Sequence, residues 1–479
     1  MGKKTGFLEY TRQDDPQRHP LTRLKDYDVF HLPLDEAQRR RQGARCMNCG
    51  VPFCLSAIKI KGRVTGCPLH NLIPEWNDEI YRGQDRNALE RLLKTNPFPE
   101  WTGRVCPALC EKACLCGLNG EAVTIRDNER FIIETAFAKG YMQPQVPAVR
   151  SSKRVAVIGS GPAGLSVAYA LNACGHQVTV YEQEKRAGGL LRYGIPEMKL
   201  AKNIIDRRLE IMKAEGIQIM TGTKVGRDIS QSELDAAYDA IVFCCGARKA
   251  RQVAGVDLAV SGVMMAVDFL TAAMHDLEEN KCPVQAKNKR VIVVGGGDTG
   301  NDCVAMCLRM GAKQVTQLEM MPRPSNQTKT PWPEWPVGEK VDYGQQEYRS
   351  LYHHDPRLYE TTIEKLVVEE RMLKGAYLVR GNMINGQWQV KAGSEQFLEA
   401  DLILIAAGFV GVEDSLAEQF ALPLSRHHTL LTNEAHYQIV QSHYFAAGDC
   451  HRGQSLVVWA IAEGLACAKE VDNYLKNKK

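Results

Sequence analysis

One pattern, met twice, constrains this chain more than any other feature. KRVAVIGSGPAGLSVAYALNACGHQVTVYEQ begins at Lys153, and KRVIVVGGGDTGNDCVAMCLRMGAKQVTQLEMMPR begins at Lys289. Each reads as a short β-branched strand, a glycine turn, an amphipathic helix and a second strand ending in an acid, Glu182 or Glu319. The glycines have separate duties. Gly159 and Gly295 permit the tight turn. Gly161 and Gly297 let backbone approach a pyrophosphate. Gly164 and Gly300 let helix and strand pack closely. Pro162 and Ala163 in one copy, Asp298 and Thr299 in the other, open helices whose free N–H groups and positive end suit phosphate. Two such units in one chain argue for two dinucleotide-binding domains.

The two copies differ beyond their second strands. An acid at the strand end, as at Glu319, favours the free 2′-hydroxyl of NAD, whereas a nearby arginine accommodates the 2′-phosphate of NADP. Arg323 follows Glu319 closely, with Lys329 beyond it, so NADPH is the expected donor. Taken alone, Arg323 reads equally well as a solvated loop arginine. Near the C-terminus, DLILIAAGF and HYFAAGDC each read as a buried strand running into a small-residue turn. AIAEGLACAKEVDNYL follows as a terminal helix. Gly448 and Asp449 place a carboxylate between strand and helix, where it also serves as an N-cap.

Cysteines are concentrated at the other end. Of 16, eight lie before residue 117: Cys46, Cys49, Cys54, Cys67, Cys106, Cys110, Cys114 and Cys116. Such crowding reads as a metal module. Zinc, a disulfide and an iron–sulfur cluster all use C-x2-C, but a second C-x2-C pair is absent, since Cys106 to Cys110 is C-x3-C. Cys303 and Cys307 read as helix packing, and Cys174, Cys282, Cys450 and Cys467 as small buried hydrophobes. NLIPEWNDEIYRGQDRNALERLLKTN has helical spacing with Asn96-Pro97 as its stop, and QPQVPAVRSS reads as a linker. RRRQGAR, from Arg39 to Arg45, reads as a solvated helix face, or as a basic stretch that docks a partner or offsets cluster charge. His353-His354 reads as a surface pair.

A formal charge of +4 gives no case for nucleic acid or an anionic membrane, and no run of 18 apolar residues exists. The N-terminus lacks the apolar core of a signal peptide, so the cytoplasm is the expected location.

CMNCGVPFC, GCPLHNLIPEWN, GRVCPALCEKAC, AVTIRDNER, GSGPAGL, GGLLRYGIPEMKL, GGGDTGNDC and AAGD, in this order, resemble the small (beta) subunits of NADPH-dependent glutamate synthase. The N-terminal part of dihydropyrimidine dehydrogenase shares the architecture. The resemblance runs from about residue 40 to the end. It implies an α/β fold: two Rossmann-like domains of a two-dinucleotide-domain flavoprotein, preceded by a mainly helical iron–sulfur domain. It also implies boundaries: 1–150 for the iron–sulfur domain, 151–285 and 411–479 for the halves of an FAD domain, and 286–410 for an inserted NAD(P)H domain. Crossings are expected near Cys244-Cys245-Gly246 and Ala407-Gly408. Gly448 and Asp449 would hold the flavin side of FAD, and Gly189, Leu190 and Arg192 would lie near it.

The same resemblance implies two [4Fe-4S] clusters, one on Cys46, Cys49, Cys54 and Cys114, the other on Cys67, Cys106 and Cys110. The dehydrogenase has a glutamine as the fourth ligand of the latter, and Glu129 falls there here; Cys116 is left over. The implied reaction carries a hydride from NADPH to FAD and electrons onward through the clusters. Neither an amidotransferase nucleophile nor a barrel is legible, so glutamate formation is expected to need the large (alpha) subunit of glutamate synthase. Two rivals remain: another NAD(P)H-dependent flavin/iron–sulfur subunit, and a non-catalytic redox or zinc module.

Overall fold

A computed structural model describes residues 3–324, 330–334, 338–433, 436–440 and 442–477. Lys329 lies outside them. Two five-stranded parallel sheets dominate. In the first, the spatial order is Tyr444–Ala446, Ala240–Phe243, Arg154–Ile158, Gln177–Tyr181, Gln218–Met220. In the second it is Arg357–Tyr359, Gln314–Glu319, Arg290–Val294, Leu402–Ile405, Val263–Met265. In both, the strand feeding the glycine turn is central: in the first sheet the next two strands lie on one side of it and the later two on the other, and in the second Val263–Met265, which precedes it, and Gln314–Glu319, which follows it, lie on opposite sides. That is the topological switch point, where α/β sheets open a crevice at the carboxyl ends of their strands. Val155, Val157, Val291 and Val293 are buried, as expected of parallel strands covered on both faces.

The strands and helices read near the C-terminus are present: Leu402–Ile405, Tyr444–Ala446 and the helix Val457–Asn477. Val263–Met265 already pairs with Leu402–Ile405, so the chain joins the second sheet ahead of residue 286, where the boundary was expected. The two crossings run side by side as an antiparallel ribbon: Val410 N donates to Lys249 O at 2.8 Å and Arg251 N to Gly408 O at 3.0 Å. An antiparallel meander, Thr361–Glu369, Met372–Ile384, Gln387–Val390 and Gln396–Glu399, interrupts the second sheet; its one local signature is Asn385-Gly386, both at positive φ, the two-residue turn between its second and third strands.

The N-terminal domain is mainly helical, with one short hairpin, Ile58–Ile60 against Arg63–Thr65. The stretch read as helical up to Asn96-Pro97 forms two helices, Ile73–Arg82 and Asp85–Leu93. Gly83, at φ 70°, is a left-handed cap that ends the first. Helix Pro99–Val105 packs on Ile125–Ala138; a Cβ on Gly103 would lie 3.0 Å from the Cα of Arg130, so a larger residue would push the helices apart by a few tenths of an ångström. This domain is fastened to the first sheet's helices. Arg208 grips buried Glu100 with two bonds, at 2.5 and 3.0 Å, and Phe98 meets Tyr169 edge-on at 5.8 Å.

RRRQGAR is only in part a solvated face: Arg41 is exposed and Arg40 pairs with Glu36 at the surface, but its two end arginines are buried. Arg39 is buried against Asp15 and Asn128, and Arg45 is buried while donating to the carbonyls of Tyr10, Glu121 and Ala122. These arginines hold neighbouring loops through charge-assisted bonds. Cys174 and Cys282 are exposed, against expectation, because each lies at a helix end or in a connecting loop; Cys303, Cys307, Cys450 and Cys467 are buried. His353 and His354 are exposed. No helix among the described residues is long and apolar enough to cross a membrane.

The first thirty residues also reach the second sheet's domain. Phe30 stacks on Tyr343 at 5.1 Å, and Glu347, fully buried, accepts from Arg23 Nε at 2.5 Å and Arg309 Nη1 at 2.6 Å. Deleting one member of a buried ion network leaves the other charges unpaired. Glu347→Ala is therefore expected to cost about 3 kcal/mol, read as a lowered midpoint of thermal unfolding, with Glu347→Gln intermediate.

Candidate cofactor sites

The first glycine turn is built by exclusion. Gly159 sits at φ 105°, and a Cβ there would lie 2.5 Å from the Cys244 carbonyl oxygen. A Cβ on Gly164 would run into the Gly159 carbonyl. Gly161 differs: a Cβ there would meet nothing within 4 Å. Gly161 therefore fronts open space at the start of the helix Pro162–Ala173, which no side chain caps among the described residues. Uncapped N–H groups beside a bare glycine are what a pyrophosphate needs.

Two distant segments converge on this turn. Gly189, at φ 52°, comes so close that its Cβ would lie 2.8 Å from Gly161 Cα, and Gly188 N donates to Ser160 Oγ at 2.9 Å. A Cβ on Gly448 would lie 2.6 Å from that of Ala163. Asp449 follows, half-buried, its carboxyl pushed up to about 6 by burial, with Ser455 Oγ donating to it at 2.8 Å. Gly464 on the terminal helix packs on Ala163 and Ser166, which fixes that approach. The structure thus brings Gly159, Gly161, Pro162, Ala163, Gly164, Gly189, Gly448 and Asp449 together, and the cradle fits FAD.

Two expected residues have other partners, and a third is exposed. Glu182 accepts from Ser160 N at 3.2 Å, from Ser160 Oγ, and from Glu184 N at 2.9 Å, so it braces the turn. Arg192 is fully buried and spends its guanidinium on Ala187 O at 2.7 Å, Glu278 at 2.7 Å and Asp206. It pins the loop that carries Gly188 and Gly189. Leu190 is half exposed. Ser160 and Glu463, the latter accepting from Gly448 N at 2.8 Å, were not singled out from sequence. Ser160 is the variable letter between two glycines, and Glu463 lies on a helix with no motif of its own.

The second turn repeats the geometry. Gly295 is at φ 125°, a Cβ on Gly300 would strike the Gly295 carbonyl, and one on Gly297 would meet nothing within 4 Å. Glu319 lies against Gly296 and accepts from Met321 N at 2.7 Å. Asp298 opens the helix Asp298–Arg309 and pairs with Lys340 at 2.5 Å, with Thr299 next in line. The open glycine, the helix start and the strand-end acid fit a nicotinamide dinucleotide. Arg323 is more than half exposed and pairs with Glu339 at 3.1 Å.

Cysteines gather in two places. Cys46, Cys49, Cys54, Cys114 and Cys116 line a small cavity with Pro52, Ile73 and Ile125. Cys67, Cys106 and Cys110 are tightly enclosed with Glu129: burial, and then the Glu129 carboxylate, push the Cys106 thiol up to about 12, and Cys67 is pushed to about 12 in the same way. Burial pushes Cys46 up to about 12 as well. Bare thiolates are thus disfavoured at Cys46, Cys67 and Cys106, while Cys116, hydrogen-bonding to Cys114, pulls the Cys114 thiol down to about 6; bound iron would supply the charge that compensates buried thiolates. Among the described residues no three His, Cys, Asp or Glu converge on a single-ion position. Thiols spread round a cavity fit a multi-iron cluster better than one zinc.

The two groups share a seam. Cys67 N donates to Cys54 O at 2.8 Å, and Gly66, at φ 80°, fits where a Cβ would lie 2.6 Å from the Phe53 carbonyl. Glu129 is buried, and its Oε1 accepts from Thr102 Oγ1 and from Asn96 Nδ2 at 3.1 Å. Cys116 lines the first cavity and donates to Arg45 O at 3.5 Å.

Known proteins share both halves of this arrangement. The model of dihydropyrimidine dehydrogenase domain II, 4Fe-4S cluster, matches residues 23–141, and that of pyridine nucleotide-disulphide oxidoreductase matches residues 153–335. The glutamate synthase [NADPH] small chain of Bacillus subtilis is 45% identical over 99% of this chain and 99% of its own. The glutamate synthase [NADH] of Saccharomyces cerevisiae is 42% identical over 99% of this chain, which is 22% of the yeast protein. FprA of Mycobacterium tuberculosis, solved in complex with NADPH, shares the fold, with a TM-score of 0.53 at 19% identity over 68% of this chain and 85% of its own.

Proposed function

This chain belongs to the glutamate synthase small-chain family, and from that premise we propose its role residue by residue. It is the electron-input subunit of an NADPH-dependent glutamate synthase. One observation carries the reading: two cysteine groups and two dinucleotide cradles occur in one folded unit, with the cysteine domain clamped to the first cradle's helices through Arg208 and Glu100.

When bound, NADPH, FAD and [4Fe-4S] clusters supply hydride transfer to a flavin and single-electron transfer away from it. The protein supplies position. The turn Gly159–Gly164 and the Gly448-Asp449 pair would hold FAD, with Gly189 closing over the turn. The turn Gly295–Gly300 would hold NADPH, with Glu319 on the ribose and Arg323 on the 2′-phosphate. Cys46, Cys49, Cys54 and Cys114 would hold one cluster, and Cys67, Cys106, Cys110 and Glu129 the other. Arg192 and Ser160 set the loops and take no part in the chemistry.

The chain would pass its electrons to a large subunit that makes glutamate from glutamine and 2-oxoglutarate. The yeast relative, of which this chain matches only 22%, supports that arrangement, because the rest of such a protein has room for the partner's work. The test is anaerobic co-expression with a large chain, then assay of NADPH-dependent glutamate formation. NADPH that bleaches the flavin and supports glutamate formation only in the pair is the expected result. A flavin that NADPH leaves oxidised in the complex, or zinc in place of iron, would overturn the reading. In the same assay Arg323→Ala is expected to raise KM for NADPH about tenfold while moving KM for NADH little, because it removes a charge-assisted bond to the phosphate alone.

A further inference from the structure

Strand Arg357–Tyr359 lies beside Gln314–Glu319 in parallel register, with Tyr359 opposite Glu319. The edge next to the strand-end acid therefore carries the residues that a ribose 2′-substituent would meet. A charged cluster stands there. Glu339, nearly buried, accepts from Arg323 Nη2 at 3.1 Å, Arg349 Nη2 at 3.0 Å and Arg357 Nη2 at 3.0 Å, all on Oε1, and from Tyr359 Oη at 3.5 Å. The arginines are not held alike. Arg349 and Arg357 also pair with Asp355, and Arg357 donates to Lys340 O at 2.8 Å. Arg323 pairs with Glu339, lies 5.9 Å over the Tyr359 ring, and is more than half exposed.

We infer that Glu339 sets the discrimination between NADPH and NADH: it occupies, as an internal anion, the arginine cluster that a 2′-phosphate would enter. The inference rests on the second glycine turn being the nicotinamide site. Its physical basis is competition. An incoming phosphate must draw Arg323 away from Glu339 and then sit beside a carboxylate, a like-charge juxtaposition that NADH, with its free 2′-hydroxyl, never meets. The strand-end acid Glu319 and the braking acid Glu339 thus act in the same direction, and Arg323 acts against both. Glu339 is a positioning residue, acting through Arg323.

The test is calorimetric binding of 2′,5′-ADP and 5′-AMP, with NADP⁺ and NAD⁺ alongside, to the full chain loaded with its cofactors. Glu339→Gln keeps the shape and removes the charge. It is expected to tighten 2′,5′-ADP about tenfold, so that the ratio of its Kd to that of 5′-AMP falls by that factor. Raised salt should shrink the gain, since the cluster is partly exposed. Glu339→Asp should sit near the wild-type ratio, and Arg323→Ala combined with Glu339→Gln should lose the gain, because the two residues are coupled. Weaker 2′,5′-ADP binding in Glu339→Gln would overturn the inference by showing that the carboxylate organises the arginines for phosphate. Equal shifts for both ligands would overturn it as a structural effect. Wild-type protein that binds neither dinucleotide would instead sink the site assignment beneath it.

Discussion

Cys46→Ala is expected to strip about four irons from each chain, the content of one [4Fe-4S] cluster, while flavin content stays near wild type. Cys46 lines the first cavity with Cys49, Cys54 and Cys114, and three of them are placed by different local devices. Cys46 follows the helix Glu36–Ala44, Cys54 sits in the turn Phe53–Leu55, and Cys114 comes just after the turn Leu109–Lys112. No single segment can compensate for a lost thiol. NADPH should still bleach the flavin, while glutamate formation in the assembled pair should fall more than ~100-fold, beyond the loss typical of an outer-shell partner. Cys116→Ala is the control, because Cys116 lines the same cavity but its thiol donates to Arg45 O. It should keep its iron. Iron loss in Cys116→Ala, with iron retained in Cys114→Ala, would reassign the fourth ligand.

Gly161→Val should give a folded chain without flavin. A Cβ at Gly161 meets no protein atom within 4 Å, and the residue's φ of −70° suits any amino acid. Neither packing nor backbone strain therefore explains glycine here; the space it leaves open does. A valine would fill the approach to the helix N-terminus and exclude the pyrophosphate, weakening FAD by at least a hundredfold in Kd, about 2.8 kcal/mol. Gly164→Val is the contrast. Its Cβ would collide with the Gly159 carbonyl, so the turn itself must break and soluble yield should collapse. Flavin retained by Gly161→Val would remove the phosphate-cradle role from this turn.

Much of this architecture is legible in the sequence because it rests on local rules. The glycine turns state their own geometry: Gly159, Gly164, Gly295 and Gly300 stand where backbone packs on backbone, and Gly161 and Gly297 where nothing does. What the sequence hides is long-range. Arg23 and Glu347 are 324 residues apart, so nothing local marks Arg23 as a buried partner of the second domain. RRRQGAR looks solvated because charge runs usually are, yet Arg39 and Arg45 find Asp15 and loop carbonyls brought in from elsewhere. Part of the meander from Thr361 to Glu399 is legible in Asn385-Gly386, the two-residue turn that a hairpin favours, but its half-exposed strands blur the alternation that would mark the rest. Glu339 and its arginines are likewise unreadable one by one; only the pairing of Tyr359 with Glu319 reveals what the cluster faces.

The ribbon formed by Lys249–Arg251 and Gly408–Val410 has an architectural consequence. The nicotinamide half of the molecule enters and leaves at one place, with its two ends already hydrogen-bonded to each other. A segment whose ends coincide behaves as a cassette: a short bridge could close the gap it leaves, and its own ends could be grafted into another host at a single loop. Exchange of electron donor among such proteins then calls for transplanting one closed piece and matching the seat that Arg23 and Phe30 make for it, not for redesigning the flavin cradle or the cysteine cages around it.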